Sequence, residues 1–548
     1  MTMKNGRFAW VFGIALVQLA ACGGSANTGG TTNGPAGGPY SPPGSSSGPS
    51  NSSGGGNAGG SSGTFSGSGG TTAGTGGATG APANAGSFGN VATGGGQDFA
   101  AFRLALSQGK IPSPSSLDAA GFFAEHYTTL PAPTCGQTFC LHGMLSVSPD
   151  MARGGDWTLL QMAMNSPIDP ATVTKPPLDL VVVLDKSGSM ADAGKMDYAK
   201  QGLRLLIAQL GEEDTFTLIA FDTTVQTLFG PMRVGAAASR AQITAIVDGI
   251  QPGGSTDIYD GLETGYQAAL SVGDETQQRR VIFLTDGLPT VGNVDATMIK
   301  AMSARYNDQY VGLTTIGLGA DVDAGLLRSL SEQGGGNFYF VEKPAAVMEV
   351  FTQELAFFVA PIAYDLELSI AELPSYTVKQ VYGTNLWRAG TGGGQVRIPS
   401  VFLVSRTSTM PDATGGRRGG GSAIMAELSP TPLHPTTGQC DVATLHLRYR
   451  EPGSTVIHEQ DAPIAYQIGD GTADGYFSSH DVEKNTIILG LYIALRDATA
   501  QAQTNKAGAH DALAAFLPKF KSRIAGWADD DLIDDIVILQ QYIDVLAR

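Results

Sequence analysis

Between residues 178 and 358 the sequence alternates short apolar runs with longer amphipathic stretches, and this alternation strongly constrains the fold. Strands buried on both faces are continuous apolar runs, and their alternation with helices is typical of right-handed βαβ units. The pattern predicts an α/β domain with a doubly wound, mostly parallel sheet. The predicted strands are Leu180–Leu184, Phe216–Phe221, Val281–Thr285 and Val311–Leu318, and the predicted helices include Met196–Leu210, Ala238–Ile250 and Ile258–Leu270.

Acidic and hydroxyl side chains lie in three loops of this predicted domain. The first loop follows the strand Leu180–Leu184, the second precedes the helix Ile258–Leu270, and the third follows the strand Val281–Thr285. Ligand sites in open α/β sheets lie beyond the carboxyl ends of the strands, so we expect the three loops to meet at one crevice. The side chains they bring there are Asp185, Ser187, Ser189, Thr256 and Asp286.

Carboxylates, hydroxyls and water are hard oxygen ligands, which suit Mg²⁺, Mn²⁺ or loosely held Ca²⁺ better than Zn²⁺. Two further acidic residues lie nearby in the sequence. Asp222 follows a predicted strand and is interpreted as a turn or cap carboxylate, with a supporting role behind the ligands as the alternative. Asp257 is interpreted as a carboxylate at a helix N-terminus rather than as a ligand.

The five side chains resemble the metal-ion-dependent adhesion site (MIDAS) of von Willebrand factor type A (vWA) domains. That pattern is Asp-x-Ser-x-Ser, then Thr, then Asp, and all five residues match it in order and spacing. The resemblance implies that the domain binds a divalent cation, with Mg²⁺ favoured over Mn²⁺ or Ca²⁺. It also implies that an acidic residue of a protein partner supplies the last ligand, in an adhesion, receptor or scaffold role.

The first residues are typical of an export signal. Lys4 and Arg7 precede the apolar stretch Phe8–Ala20, which is too short to span a bilayer. The segment ends in Leu-Ala-Ala-Cys22, which resembles the lipobox of bacterial lipoproteins, in which the cysteine takes a diacylglycerol. An ordinary signal peptide that is cut near Ala21 is the alternative.

Residues 22–96 are dominated by Gly, Ser, Thr, Ala, Asn and Pro, and lack apolar periodicity. Such a composition predicts a disordered tether, with an r.m.s. span of roughly 50 Å. Gly23 rather than an acidic residue follows Cys22. In enterobacterial lipoproteins, a residue other than an acidic one at this position is associated with export to the outer membrane. We therefore expect the protein to be lipid-anchored in the cell envelope, with the outer membrane or cell surface favoured over the inner membrane.

Export places the remaining cysteines in an oxidising compartment. Cys135 and Cys140 enclose four residues, and a disulfide between them is predicted. The alternative adds His142 to form a metal cluster, although no fourth ligand lies nearby. Cys440 is then either a buried thiol or the true partner of one of the pair.

The other regions resemble a subgroup of bacterial vWA lipoproteins. The similarity rests on Asp98–Pro114, on Gly121-Phe-Phe-Ala-Glu-His-Tyr, on alternating segments such as Ala423–Leu428 and on a helical C-terminus. The segment Ser478-Ser-His-Asp is predicted to cap the start of that helical region. The predicted division is a signal peptide (1–21), a tether (22–96), an N-terminal extension (97–168), a vWA domain (169–358), a small β-rich domain (359–470) and a helical C-terminal region (471–548).

Several functional classes are disfavoured. The net charge of −17 and pI near 4.8 argue against nucleic-acid binding, which needs a basic surface. After residue 96 the sequence has no Gly-x-Ser-x-Gly elbow, His-Glu-x-x-His helix or P-loop, and its His residues are scattered. An enzyme is therefore not predicted. An accessory subunit of a membrane complex or channel is the alternative to the binding role.

Overall fold

The computed structural model describes residues 89–92, 94–97, 99–126, 128–168, 176–235, 237–272, 277–341, 346, 350–351, 361–404 and 423–548. In these ranges no helix is long and apolar enough to cross a bilayer. The predicted signal peptide and the lipidation site Cys22 lie outside the described residues.

The strands of the described residues are β1 (Gly89–Ala92), β2 (Gly95–Gly96), β3 (Cys140–Pro149), β4 (Asp156–Ser166), β5 (Leu178–Asp185), β6 (Thr215–Phe221), β7 (Val225–Arg233), β8 (Gln278–Thr285), β9 (Gly312–Leu318), β10 (Asn337–Val341), β11 (Ala363–Glu372), β12 (Tyr376–Tyr382), β13 (Arg388–Gly390), β14 (Gly393–Val404), β15 (Ile424–Pro430), β16 (Gly438–Arg450), β17 (Ile457–Ile468) and β18 (Tyr476–Phe477). The helices are α1 (Ala100–Ser107), α2 (Ala119–Ala124), α3 (Lys195–Gln209), α4 (Ala237–Gly249), α5 (Ile258–Ser271), α6 (Ala296–Asn307), α7 (Ala324–Gln333), α8 (His480–Ala502), α9 (Lys506–Arg523) and α10 (Asp530–Ala547).

A seven-stranded sheet with the order β2-β10-β9-β8-β5-β6-β7 forms the centre of the α/β part. Its strands pair in parallel except β7, which runs antiparallel to β6. Every residue of β5 and β6 is buried, because helices cover both faces. Helices α3 and α4 pack on one face, and α1, α5, α6 and α7 pack on the other. The predicted doubly wound sheet is confirmed.

The predicted tether is wrong at its C-terminal end, because its last residues form β1 and β2. Strand β1 pairs with β4 and β14, and β2 pairs with β10 at the edge of the parallel sheet. A Cβ on Gly94, whose φ is +83°, would lie 2.6 Å from the carbonyl oxygen of Gly336. Glycine thus allows this close approach to the sheet, whereas composition alone suggests a flexible linker. The rest of the tether lies outside the described residues.

An eleven-stranded antiparallel sheet accounts for the β-rich region of the described chain. It also includes β3 and β4, which belong to the predicted N-terminal extension. Strand β1 pairs with β4 on one side and β14 on the other, and so links two halves of this sheet. The halves enclose one apolar core, to which β3, β4 and β15 contribute from one half and β11, β14 and β16 from the other.

A helical layer completes this part of the fold. Helix α8 begins at the predicted cap, where Val482 N donates to Ser479 Oγ at 3.2 Å. Helices α8, α9 and α10 share an apolar core with α1 and α2 of the extension. The extension is therefore divided between the helical layer and the antiparallel sheet.

The structure joins Cys135 and Cys140 in a disulfide. The imidazole Nε2 of His142, the third member of the alternative metal cluster, instead lies 2.8 Å from Asn165 Oδ1. Cys440 is a buried free thiol, and burial raises its pKa. These positions match the predicted pairing rather than a metal cluster.

Candidate metal centre

Three loops meet beyond the carboxyl ends of β5 and β8, and backbone hydrogen bonds hold them together. In the loop after β5, Gly188 N donates to Gly254 O of the loop before α5 at 3.0 Å. The loop after β8 is attached in the same way, since Thr290 N donates to Thr256 O at 2.9 Å. The parallel sheet therefore places the three predicted loops at one crevice.

Asp185, the last residue of β5, is fully buried at the base of this crevice. Its Oδ1 accepts a hydrogen bond from Ser187 N at 2.7 Å, and its Oδ2 accepts one from Thr285 Oγ1 at 2.6 Å. Burial raises the pKa of this carboxyl to about 6, with a smaller contribution from the negative charge of Asp286, while the hydrogen bonds act in the opposite direction. A bound cation would favour the ionised form.

The two serines of the first loop extend from the base of the crevice toward solvent. The Oγ atoms of buried Ser187 and exposed Ser189 lie 3.2 Å apart. Ser189 Oγ then donates to Oδ1 of the fully buried Asp286 at 2.9 Å. Hydroxyls therefore connect the first loop to the carboxylate that follows β8.

Thr256 belongs to the same crevice. Its Oγ1 and the Oγ of Ser189 lie 3.7 and 3.9 Å from the position that a Cβ on Gly287 would take. The structure therefore brings all five predicted residues together. Their role as metal ligands stays a prediction.

Lys195 also contributes to the crevice, although it belongs to none of the predicted site residues. Its Nζ donates to Asp286 Oδ2 at 2.8 Å and lies 3.8 Å from exposed Asp321. Lys195 is the first residue of α3, where the positive end of the helix dipole disfavours a lysine. The buried carboxylate of Asp286 offsets that cost. A lysine at the start of a predicted helix was therefore the sequence signal that could have indicated a buried acidic partner.

The structure gives the two neighbouring acidic residues other partners. Asp257 caps α5, since its Oδ1 accepts from Asp260 N at 3.2 Å. Asp222 forms an ion pair with Lys186 and accepts from Thr224 N at 2.8 Å. Although burial acts in the opposite direction, the hydrogen bond from Lys186 lowers the pKa of Asp222. Both residues fit the interpretations as turn and cap carboxylates.

The donor set fits a hard divalent cation. It comprises two carboxylates, Asp185 and Asp286, and three hydroxyls, all of them oxygen ligands of the kind that Mg²⁺, Mn²⁺ and Ca²⁺ prefer. Within the described ranges, no three His, Cys, Asp or Glu side chains are grouped to hold a metal ion. With Lys195 beside the carboxylates, the crevice carries one net negative charge when both are ionised.

Comparisons with known proteins agree with this fold. The family model for the von Willebrand factor type A domain matches residues 180–288. Inter-alpha-trypsin inhibitor heavy chain H4 of Homo sapiens is 31% identical over 263 residues, which are 44% of this chain and 27% of that protein. Uncharacterized protein YfbK of Escherichia coli is 25% identical over 209 residues, which are 37% of this chain and 35% of that protein. The chain thus spans about a third or less of these relatives' lengths.

Among solved structures, a von Willebrand factor type A protein from Catenulispora acidiphila has 14% sequence identity and a TM-score of 0.48. That comparison covers 75% of this chain and 92% of the other. The family match extends from Leu180 in β5 to Leu288 and so includes all five residues of the candidate site. Residues 180–288 of this chain therefore belong to a von Willebrand factor type A domain.

Proposed function

We propose that this protein binds a divalent cation in the crevice and, through that cation, a protein partner at the bacterial cell envelope. The observation that carries the proposal is the placement of two fully buried carboxylates beside an exposed serine. Asp185 and Asp286 supply the charge that a cation needs, and exposed Ser189 marks the open side of the crevice. A cation held partly by hydroxyls keeps residual positive charge. A carboxylate from a partner can therefore complete its coordination.

The surface after β8 supports a protein partner. Leu288, which follows Gly287 directly, is 52% exposed, and Val294 and Met298 are exposed to a similar degree. Apolar side chains that stay in water beside a charged crevice are typical of surfaces that a second protein covers. The resemblance to vWA domains and the absence of a predicted catalytic motif favour binding over catalysis.

The binding role is tested by capturing envelope proteins on the immobilised mature chain in Mg²⁺ or in EDTA. We expect one set of captured proteins to be lost in EDTA and also lost with Asp185→Asn, because each change removes the bound cation. Asp511→Asn is the matched control, since Asp511 is an exposed carboxylate on α9 in the helical layer rather than in the crevice or on the surface after β8. Capture that survives both EDTA and Asp185→Asn would contradict the proposal.

The envelope location is proposed from the predicted lipobox at Cys22. Two or more acyl chains hold a protein on a membrane, whereas a single chain binds only weakly. We therefore expect Cys22→Ser to release the protein from the membrane fraction or to leave its signal peptide uncut. Fractionation, with mass spectrometry of the N-terminus, measures both results. Unchanged membrane partitioning of a fully processed variant would refute the lipid anchor.

A further inference from the structure

Lys195 of α3 places a positive charge beside the candidate metal centre. Its side chain is only 8% exposed, and its Nζ donates to Asp286 Oδ2 at 2.8 Å. The carboxylate of Asp321 lies 3.8 Å from the same Nζ, but it is 86% exposed and is therefore screened by water. The buried carboxylate of Asp286 is thus the main counter-charge of Lys195.

The two carboxylate oxygens of Asp286 face different partners. Oδ2 accepts the hydrogen bond from Lys195, whereas Oδ1 accepts one from Ser189 Oγ at 2.9 Å. Asp286 itself has no exposed surface. A cation bound by the hydroxyls and carboxylates of the crevice would therefore share Asp286 with a buried ammonium.

The aliphatic part of Lys195 is closely packed, which keeps the ammonium in this place. A Cβ on Gly319, the residue after β9, would lie 2.8 Å from Lys195 Cε and 3.6 Å from Nζ. Gly319 has a φ of +80°, a conformation that glycine adopts without strain. Withdrawal of the lysine into solvent would leave the buried carboxylate of Asp286 without a counter-charge. The positive charge is therefore a fixed part of the crevice.

Lys195 has two opposite effects on cation binding in such a crevice. Its ammonium repels a cation, but its hydrogen bond also orients Asp286, which favours binding. The repulsion is expected to prevail, because charges in a buried site are poorly screened and because Ser189 holds Asp286 as well. A divalent cation would leave the crevice with one net positive charge, whereas without the lysine the loaded crevice would be neutral.

We propose that Lys195 sets the cation affinity and the charge selectivity of the crevice. Its ammonium lowers the affinity for every cation, and it disfavours a trivalent ion more than a divalent one, because the repulsion grows with the charge of the ion. The lower affinity is accompanied by a positive charge on the loaded site, which attracts the carboxylate of a partner. This inference rests on the proposed function, since it concerns the same bound cation.

The test compares the wild-type mature chain with Lys195→Gln by calorimetric titration with Mn²⁺. The glutamine amide is a hydrogen-bond donor like the ammonium but carries no charge. We expect Mn²⁺ to bind the variant at least about tenfold more tightly, which corresponds to about 1.4 kcal/mol. A lysine with only a structural role would give unchanged or weaker binding. Melting temperatures in Mn²⁺ and in EDTA provide a second measurement, because tighter binding gives a larger gain in stability even if the variant is less stable without metal.

Titrations with Ca²⁺ and Tb³⁺, two ions of similar radius, test the charge selectivity. The gain in affinity of Lys195→Gln over the wild type should be larger for Tb³⁺ than for Ca²⁺. Lys484→Gln is the matched control, because the side chain of Lys484 is also 8% exposed and pairs with Asp529 in the helical layer. This control should keep the wild-type affinity for all three ions.

Unchanged or weaker Mn²⁺ binding by Lys195→Gln would overturn the proposal. An equal gain for Ca²⁺ and Tb³⁺ would also overturn it, as would the same gain in Lys484→Gln. A wild-type chain that binds no Mn²⁺ would instead refute the metal site of the proposed function, and this inference with it.

Discussion

Asp185→Asn is expected to weaken Mn²⁺ binding by the vWA domain about 100-fold or more while the domain stays folded. The substitution removes one of the two carboxylates that would face the ion. A loss of that size corresponds to about 2.7 kcal/mol. The asparagine side chain can still accept from Ser187 N, so the hydrogen bond that shapes the loop is retained. Calorimetric titration with Mn²⁺ and with Mg²⁺ measures the effect.

Asp286→Asn should cause a similar loss, but it leaves the buried ammonium of Lys195 without its anion. Removing one member of a buried ion pair is destabilising, so this variant is combined with Lys195→Met. The double variant should fold and still fail to bind Mn²⁺. Asp257→Asn is the matched control, because Asp257 lies beside Thr256 but caps α5. Wild-type Mn²⁺ affinity in both Asp185→Asn and the double variant would refute the metal site.

The Mn²⁺ affinity of the wild-type protein should also depend on pH. Since the pKa of Asp185 is raised to about 6 in the metal-free protein, protons compete with the cation below that pH. At pH 5 roughly a tenth of the carboxyls are ionised and at pH 7 roughly nine tenths, so the affinity should rise about tenfold over this interval. An affinity that is equal at pH 5 and pH 7 would argue against Asp185 as a ligand.

Asp179→Asn is expected to stabilise the folded protein by up to about 4 kcal/mol at pH 8.5 and to change little at pH 4. Asp179 lies at the start of β5 with no exposed surface, and neither carboxylate oxygen has a hydrogen-bond partner in the described structure. Burial raises its pKa to about 7, against a weaker opposing effect from Arg279. Ionising this group in the folded state is therefore costly.

The sign of the pH dependence follows from this raised pKa. Below pH 3.8 Asp179 is protonated in both the folded and the unfolded chain, and the folded state has its full stability. As the pH rises to about 7, the unfolded chain releases the proton first, so stability falls until the folded carboxyl also ionises. Urea unfolding of the wild type and Asp179→Asn at pH 4, 6 and 8.5 measures this. If the free energy of unfolding varied with pH in the same way in both proteins, the raised pKa of Asp179 would be refuted.

Local sequence patterns were sufficient to predict the α/β domain and the candidate site. Apolar runs identified β5, β6, β8 and β9, because strands covered on both faces must be apolar throughout. The carboxyl ends of parallel strands lie at one edge of the sheet, so Asp185 and Asp286 could be placed together although they are 101 residues apart. The N-cap Ser479 was predictable for a similar reason, since a cap involves only neighbouring residues.

Tertiary structure alone decided the pairings between distant segments. Val91 of β1 pairs with Leu403 of β14, and composition gave no sign that a glycine-rich segment would supply a strand. The ion pair between Lys195 and Asp286 also depends on side chains brought together from a helix and a distant loop. The physical reason is that hydrophobic periodicity records which face of an element is buried, whereas the partner of a buried charge or strand edge is set by long-range packing.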